Sequence, residues 1–374
     1  MNRKFISAVL FIAGTAIGAS VLGLPIDMRL AGLIPASLVC ILMGVAMGGA
    51  QLMMANIFID GKSNDLPAMF TAKLGPLAGR LFTLTYALLI FCLLVAFWTG
   101  TAGTFKIFSL GNVAMGLVLI CAACCLEFGF AFASPLNSFL TFCMILTFLC
   151  LVGKAIISGN VSPLDMINFK EAAYALPIVM CSYGFFPVIP LICRQFKNDK
   201  KMIGKAIIWG AALPIIFNLT ILAVSFSVLS QQELAEGAAN GWPVFVALKN
   251  KLKVDSLVIW GNLFSIFSIL SSLLGVTTSM KGAFMGICKN RTTLARITEL
   301  VVVLLVPFFV AMLCPGIFIK ILGFAGGILV NILVGLLPII VLLKNRIINW
   351  KHLPLFAIFS YTFYVEIYKL FFRS

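Results

Sequence analysis

The sequence predicts an all-α polytopic membrane protein, and three observations support this fold class. Of its 374 residues, 62% are hydrophobic and 10% are charged, whereas soluble domains average about 45–50% apolar and about 25% charged. The apolar residues form runs of about 20, which is the length of a helix that crosses a bilayer. Two of these runs are interrupted by clustered glycine and proline. A soluble globular protein is therefore excluded.

The apolar runs predict eleven transmembrane spans, which we number span 1 to span 11. Their predicted limits are residues 5–25, 32–58, 80–106, 112–132, 135–157, 172–195, 204–229, 257–287, 297–314, 317–343 and 352–372. The chain then divides into residues 1–157 (spans 1 to 5), residues 158–344 (spans 6 to 10) and residues 345–374 (span 11). The lipid bilayer is the expected surroundings of these spans.

The basic residues predict the orientation of the chain in the membrane. The net charge is +15, and most of the 27 lysines and arginines fall between the spans. With a cytoplasmic N-terminus, the inner segments carry twice as many basic residues as the outer ones. The positive-inside rule therefore predicts a cytoplasmic N-terminus and, with an odd number of spans, a C-terminus outside. The basic excess is a topology signal, so no nucleic-acid partner is expected.

Metal binding and catalysis are not expected from this sequence. Most of the 11 cysteines lie in apolar runs, where a free thiol packs as a small hydrophobic group. The one histidine is His352, and no paired carboxylates, nucleophile elbow or phosphate-binding loop is found. The sequence predicts no enzyme and no cofactor, with an integral-membrane enzyme as a remote alternative.

Two glycine-interrupted spans carry the strongest functional signal. Span 1 contains Gly14 and Gly18, followed by Pro25, and span 6 contains Gly184 followed by Pro187. A GxxxG pair such as Gly14 and Gly18 usually marks a close helix-packing face. However, spans 1 and 6 are the equivalent members of two five-span halves, which is typical of inverted-repeat transporters with a midplane site. We therefore expect both helices to be broken and to line a transport site.

The outer loop of residues 230–256 is longer than a tight turn requires. It carries acidic residues, glycines and a proline around a short apolar piece. This pattern predicts a folded cap, for which a helical hairpin is one form, and a solvated connector is the alternative.

Several motifs resemble one family over nearly the whole chain. These are residues 14–19 with Leu24 and Pro25, Leu176 and Pro177, residues 182–185 with Pro190, residues 271–277, Cys314 and Pro315, Phe318, and residues 322–326. The chain resembles the hydroxy and aromatic amino acid permeases. The resemblance implies a LeuT-type fold with five-plus-five inverted repeats, an eleventh helix, and import of tyrosine, tryptophan or phenylalanine across the bacterial inner membrane. Another large neutral amino acid or amine is the alternative substrate.

The resemblance also implies where the substrate backbone binds. The carboxylate would meet the N–H groups of Ala19 and Ser20, at the positive end of the second half of span 1. The ammonium group would bind carbonyl groups near Ala16 and in span 6. The implied backbone contacts are Gly14, Ala16, Gly18, Ala19, Ser20, Val179 and Met180.

The substrate side chain would be held by span 3 and the break in span 6. Aromatic rings at these positions suit an aromatic substrate. The implied residues are Phe91, Phe97, Thr99, Tyr183, Phe185 and Phe186. Ser182 would add a hydroxyl acceptor, and a hydroxyl bonded to its own helix is the alternative.

The coupling ion is either sodium or a proton. The family usually has a Glu, a Lys, a His and an Asp at positions where this chain has Met54, Met144, Phe186 and Gly282. The sodium hypothesis uses carbonyls of Gly14 and Ile17 with hydroxyls of Ser271 and Ser272, and packing between helices is the alternative role of those serines. The proton hypothesis uses Lys281. An uncoupled facilitator is a further alternative.

Overall fold

A computed structural model describes residues 3–18, 20–61, 63, 65–105, 119–120, 122–124, 126–159, 166–240, 242–287, 301–314, 318–345 and 352–372. Within these residues the regular secondary structure is entirely helical. Ala19 lies outside the described residues, as does the side chain of Lys281. Residues 112–118, 121 and 125 of span 4 and residues 297–300 of span 9 also lie outside them.

The helices follow the predicted apolar runs. Their bounds are α1 Arg3–Ala16, α2 Ser20–Asp27, α3 Leu33–Gly61, α4 Leu66–Leu74, α5 Pro76–Phe105, α6 Phe130–Ser158, α7 Phe169–Tyr174, α8 Leu176–Cys181, α9 Ile189–Gln195, α10 Lys200–Val228, α11 Gln231–Ala239, α12 Val244–Leu252, α13 Ser256–Ile287, α14 Val306–Leu313, α15 Phe318–Phe324, α16 Leu337–Lys344 and α17 Leu353–Phe372. A 3-10 turn (Phe186–Val188) precedes α9, and a π-helix (Ala325–Leu336) joins α15 to α16.

Eight segments of the described chain are long and apolar enough to cross a membrane, and α1 with α2 makes a ninth if this bent pair is one span. Large apolar side chains such as Val45, Leu84 and Phe142 are exposed on the outer surface of the bundle. Such a surface suits lipid and not water. The prediction of an all-α polytopic membrane protein is therefore confirmed, and the total of eleven spans stays a prediction.

The first half-helix, α1, lies at the centre of the bundle. It packs against α6, α10 and α13, and its residues from Phe11 to Ala16 are buried. Gly275 of α13 lies so close to α1 that a Cβ there would collide with the side chain of Thr15. Small residues allow such close approach between membrane helices. This packing brings α13 directly against the end of α1.

The predicted cap is present in the form of two short helices, α11 and α12. Ser230 and Glu233 form a capping box at the start of α11, and Lys251 of α12 lies 2.9 Å from Glu233. Both helices pack on α2, where Gly237 contacts Ile26 closely. The cap therefore covers the second half of the helix that contains the first break.

Candidate functional site

The first break lies between α1 and α2. The helix ends at Ala16 and restarts at Ser20 after a bend of 47°. The N–H of Ile17 still donates to the carbonyl of Ala13 at 2.8 Å, whereas that of Val21 donates to Gly18 at 3.2 Å. A break in a helix leaves carbonyls without their usual partners, and such groups must be satisfied within the membrane.

Three serine hydroxyls of α13 donate to these carbonyls. Ser271 Oγ lies 2.8 Å from the Gly14 carbonyl oxygen, and Ser268 Oγ lies 2.8 Å from that of Ile17. Ser272 Oγ lies 3.1 Å from the carbonyl oxygen of Thr15 and 3.2 Å from that of Gly14. The four residues of the sodium hypothesis are thus gathered in one cluster, together with Ser268, which the sequence analysis did not name.

The side-chain amide of Asn137 on α6 holds this cluster in place. Asn137 Nδ2 donates to the Ser271 carbonyl at 2.7 Å, and the Thr141 hydroxyl lies 3.2 Å from Asn137 Oδ1. Thr141 also reaches the Leu10 carbonyl at 3.3 Å. Because these contacts join α6 to both α1 and α13, they set the distance between the serines and the first break.

The second break lies between α8 and the 3-10 turn. Helix α8 ends at Cys181, and the chain is not helical again until Phe186. Proline has no N–H to donate, so Pro187 cannot bond to the carbonyl of Tyr183, the partner that a continuous helix would give it. The sequence thereby frees a carbonyl in the middle of the span.

Gln51 of α3 binds the groups that the second break frees. Its Nε2 donates to the Tyr183 carbonyl at 2.9 Å, and its Oε1 accepts from the Phe185 N–H at 2.7 Å. The side chain is fully buried. The sequence analysis missed Gln51. An amide side chain inside an apolar span could have indicated it, because polar groups are costly inside a membrane.

The hydroxyl of Ser182 bonds to its own helix. Ser182 Oγ donates to the Val179 carbonyl at 2.7 Å, and Asn218 Nδ2 donates to Ser182 Oγ at 3.2 Å. Of the two alternatives for Ser182, the structure therefore contains the bond within the helix.

A cavity separates the two breaks. Its empty space, which includes open solvent, is about 640 Å³. Its lining residues are Thr15, Ala16, Gly18, Ser20, Leu93, Phe97, Cys181, Gly184, Phe186, Pro187, Ile269, Ser272, Val276, Leu322 and Val330. None of these described residues carries a charged side chain, so a zwitterion would depend on backbone groups and hydroxyls.

The predicted site residues divide into two groups. Those that line the cavity are Ala16, Gly18, Ser20, Phe97, Phe186 and Ser272. Those that lie elsewhere in the bundle are Gly14, Ile17, Phe91, Thr99, Val179, Met180, Ser182, Tyr183, Phe185 and Ser271. The Thr99 hydroxyl bonds to the Val95 carbonyl of its own helix at 3.0 Å.

The two glycines of the GxxxG pair have different surroundings. A Cβ at Gly14 would collide with Thr141 Oγ1, whereas a Cβ at Gly18 would meet nothing closer than Ser20 Oγ at 3.6 Å. Gly184 at the second break also has room, with its nearest neighbour at 3.5 Å. Gly14 is therefore a packing glycine, and Gly18 and Gly184 keep cavity space open.

A second, smaller cavity lies beside the 3-10 turn. It is lined by Asp65, Tyr86 and Arg194 among others, and it shares Pro187 with the first cavity. The ring centroids of Phe186 and Tyr86 lie 5.7 Å apart in an edge-to-face arrangement, and Phe186 lines the first cavity whereas Tyr86 lines the second. Burial raises the pKa of Asp65 above its ordinary value, and the hydrogen bond from Ala68 N–H and the charge of Arg194 partly offset this.

Interrupted helices around an uncharged cavity, inside an apolar helical bundle, define a polytopic membrane transporter. Residues 1–367 match the Tryptophan/tyrosine permease family. The chain belongs to this family, and it is an integral membrane transport protein, not an enzyme.

Full-length relatives are named for different amino acids. "Glutamine transporter 2" of Aliivibrio fischeri is 25% identical, over 92% of this chain and 91% of that protein. "Tyrosine-specific transport system 2" of Haemophilus influenzae is 24% identical, over 93% and 90%. The Escherichia coli K12 serine transporter is 24% identical, over 90% and 86%.

A crystal structure of the Eremococcus coleocola manganese transporter has a similar fold. The TM-score is 0.70 at 13% sequence identity, and the match covers 98% of this chain and 86% of that one. At this identity the likeness concerns the fold alone.

Proposed function

We propose that the protein is a cation-coupled symporter that imports an aromatic amino acid by alternating access. The single observation that carries this proposal is the uncharged cavity between the two breaks. A free amino acid is a zwitterion, and the ends of interrupted helices supply N–H groups and carbonyls that bind both of its charges without a charged side chain.

The substrate carboxylate would bind at the start of α2. Ser20 is the first residue of this helix and lines the cavity, and helix N-termini favour anions. Gly18 leaves room for the carboxylate to approach. The ammonium group would bind the carbonyl of Ala16, which lines the cavity. Val179 and Met180, the other carbonyls that the sequence analysis named, do not line it, and the Val179 carbonyl already accepts from both the N–H and the hydroxyl of Ser182.

The walls of the cavity favour an apolar side chain. Its apolar lining includes Leu93, Phe97 and Phe186, together with Ile269 and Val276 of α13. A glutamine amide or a serine hydroxyl against these walls would lose water without gaining a partner, which costs about 1–3 kcal/mol. Aromatic rings would instead gain edge contacts with Phe97 and Phe186. A large aliphatic amino acid such as leucine is the second candidate.

Uptake into proteoliposomes tests the substrate. Radiolabelled tyrosine, tryptophan, phenylalanine, leucine, glutamine and serine are compared at equal concentration. We expect the aromatic amino acids to be taken up fastest and to compete with one another. Preferential uptake of glutamine or serine would contradict the proposed substrate class, and no uptake of any amino acid would contradict the proposed function.

We also propose the LeuT-type architecture for the whole chain, with eleven spans, repeats at residues 1–157 and 158–344, and an extra helix at 345–374. The two breaks, in the first and sixth predicted spans, support this assignment. The proposed location is the bacterial inner membrane, with the N-terminus cytoplasmic and the C-terminus outside. Reporter fusions at both ends test the orientation, and two termini on one face would exclude it.

For coupling, both cations stay in the proposal. Sodium prefers hard oxygen ligands, and the carbonyls of Gly14 and Ile17 converge with the hydroxyls of Ser271 and Ser272. A bound sodium ion would require those hydroxyl protons to turn away from the carbonyls. Uptake under imposed sodium or pH gradients identifies the ion, and indifference to both would mean a facilitator. If sodium drives uptake, the double variant Ser271→Ala with Ser272→Ala should sharply raise the sodium concentration required.

A further inference from the structure

A buried carboxylate lies on the last helix, α17. Glu366 is only 4% exposed, although it lies in a helix whose neighbouring residues Tyr364 and Tyr368 are exposed. Ionisable residues within membrane spans are rare and almost always face the bundle interior or a water-filled cavity. Glu366 points into the bundle, and none of the contacts described above uses it. An ionisable group in this position is a functional candidate.

Two glycines make the space that Glu366 occupies. A Cβ at Gly327 would lie 2.5 Å from Glu366 Cγ and 2.8 Å from its Cδ, and a Cβ at Gly323 would lie 3.6 Å from Oε1. Any larger residue at position 327 would therefore displace the carboxylate. The α15 end and the π-helix are thus shaped to admit this side chain.

The same glycine-rich segment contacts the second break on its other side. A Cβ at Gly326 would lie 3.2 Å from the Cβ of Cys181, and Cys181 lines the substrate cavity. The Glu366 carboxylate therefore lies behind the cavity wall, and only the glycine backbone at Gly326 and Gly327 lies between the two.

The charge of Glu366 is incompletely satisfied. Lys369, one turn later on α17, places its Nζ 3.5 Å from Glu366 Oε2. This is ion-pair distance, and Oε2 accepts no hydrogen bond from any other described residue. A buried charge is normally paired and fully hydrogen-bonded, because removing it from water costs several kcal/mol. Binding a proton removes this cost.

We propose that Glu366 is the binding site of the coupling proton. The inference rests on the proposed cation-coupled symport and names its cation. In the outward-facing state, Glu366 takes a proton from the outer solution to become a neutral carboxylic acid, and its ion pair with Lys369 is released. In the inward-facing state, the Glu366 O–H gives that proton to water on the inner side, and Lys369 pairs with the carboxylate again. One proton crosses per cycle, and no other bond is made or broken.

The titratable groups around Glu366 are few. The π-helix carries none in its sequence. Three other helices that pack against α17 carry titratable groups. These are Cys181 on α8, Lys170, Glu171 and Tyr174 on α7, and Cys40 and Asp60 on α3. Helix α15 carries Lys320, whose side chain lies outside the described residues. Among the described groups, Lys369 is the cation within 4 Å of the carboxylate.

The test compares Glu366→Gln with the wild type in proteoliposomes. Glutamine has the same shape and cannot carry a proton. A gradient of two pH units can drive roughly a hundredfold accumulation at one proton per substrate, since each unit is about 1.36 kcal/mol. For the wild type we expect accumulation that follows the pH gradient without sodium. For Glu366→Gln we expect normal substrate binding and normal exchange across the membrane. We expect no accumulation, so that the substrate concentrations inside and outside the vesicles become equal.

Three further variants make the test specific. Glu236→Gln is the matched control, since Glu236 is exposed on the cap, and it should behave as wild type. Glu366→Asp should restore part of the pH-driven accumulation. Lys369→Gln should move the pH of half-maximal uptake to higher values by about one unit, because Glu366 loses its cation.

The possible failures are distinguishable. Accumulation by Glu366→Gln at the wild-type level, or accumulation of the wild type with sodium alone, would overturn the proton site and leave symport intact. Failure of Glu366→Gln to bind substrate, with restoration of binding but not of coupling by Glu366→Asp, would make Glu366 a structural residue and also overturn the site. Absence of substrate binding by the wild type would refute the proposed function itself.

Discussion

The two breaks occupy equivalent positions in the two halves of the chain, but they are held by different chemistry. At the first break, hydroxyls of Ser268, Ser271 and Ser272 donate to backbone carbonyls. At the second, one amide, Gln51, donates to the Tyr183 carbonyl and accepts from the Phe185 N–H. The first break therefore offers a set of oxygens, whereas the second is tied to α3 through both a donor and an acceptor.

This difference predicts how each break responds to a ligand. A hydroxyl can rotate and offer its oxygen to a cation or to water, so the contacts of the first break are exchangeable. A buried amide that bonds to both a carbonyl and an N–H has one orientation that satisfies both groups, so the second break is rigid. We infer that substrate and ion binding reorganise the first break and use the second as a fixed wall.

The largest effect is expected when the open space at the first break is filled. Gly18→Leu should abolish substrate binding, because its side chain would occupy the cavity where Ser20 begins α2. Binding of radiolabelled substrate to purified protein measures this loss. Gly153→Leu is the matched control: a Cβ at Gly153 on α6 meets nothing within 4 Å, so this variant should bind normally. Wild-type affinity in a folded Gly18→Leu protein would place the site elsewhere.

The next largest effect is expected at the rigid break. Gln51→Leu leaves the Tyr183 carbonyl and the Phe185 N–H without partners, and each unsatisfied buried group costs about 1–3 kcal/mol. Thermal unfolding in detergent should show a lower midpoint, and transport should be lost with it. Gln232→Leu on the exposed surface of the cap is the control. A Gln51→Leu protein with unchanged stability would show that the second break does not depend on this amide.

The sequence predicted the positions of both breaks better than it predicted their contacts. Gly18 and Pro187 are local signals, because a missing side chain and a missing N–H act where they occur. Gln51 and Asn137 act on residues more than 100 positions away, and hydropathy does not reveal which face of a helix meets which partner. The same limit explains Tyr183, which adjoins the cavity-lining Gly184 in sequence, and Phe91, which lies two residues before Leu93. Neither of the two lines the cavity.

Glu366 illustrates that limit in another way. The sequence analysis assigned it no role, because the position of a carboxylate within an apolar run does not reveal whether its side chain is buried in the bundle. Burial depends on Gly323 and Gly327, which lie in a different helix and make room for it. Composition alone does not pair a carboxylate with the glycines that accommodate it.

A smaller effect is expected at the packing glycine of the GxxxG pair. Gly14→Ala would push a methyl group into Thr141 Oγ1 and to 2.8 Å from Asn137 Oδ1, and overpacking of this kind costs about 1–3 kcal/mol. Gly18→Ala, with its nearest contact at 3.6 Å, should leave stability unchanged. Thermal unfolding of the two variants measures the difference. Equal midpoints would mean that the two glycines have the same role. If the collision is the cause, Thr141→Ala should restore part of the stability of Gly14→Ala, because the contact with Asn137 Oδ1 remains.

The smallest effect is expected for Ser272→Ala, and it separates the two coupling hypotheses. The Gly14 carbonyl keeps Ser271 at 2.8 Å and the Ile17 carbonyl keeps Ser268 at 2.8 Å. Only the Thr15 carbonyl loses its serine, and water from the cavity can replace it, so the stability cost should be about 0.5–1.5 kcal/mol. Ser265→Ala is the matched control on the same helix, because its hydroxyl bonds to the Gly261 carbonyl of that helix. If the proton binds at Glu366, uptake by Ser272→Ala should keep its dependence on the pH gradient and show none on sodium. A sodium requirement in the wild type that rises in Ser272→Ala but not in Ser265→Ala would instead assign coupling to the exchangeable oxygens of the first break.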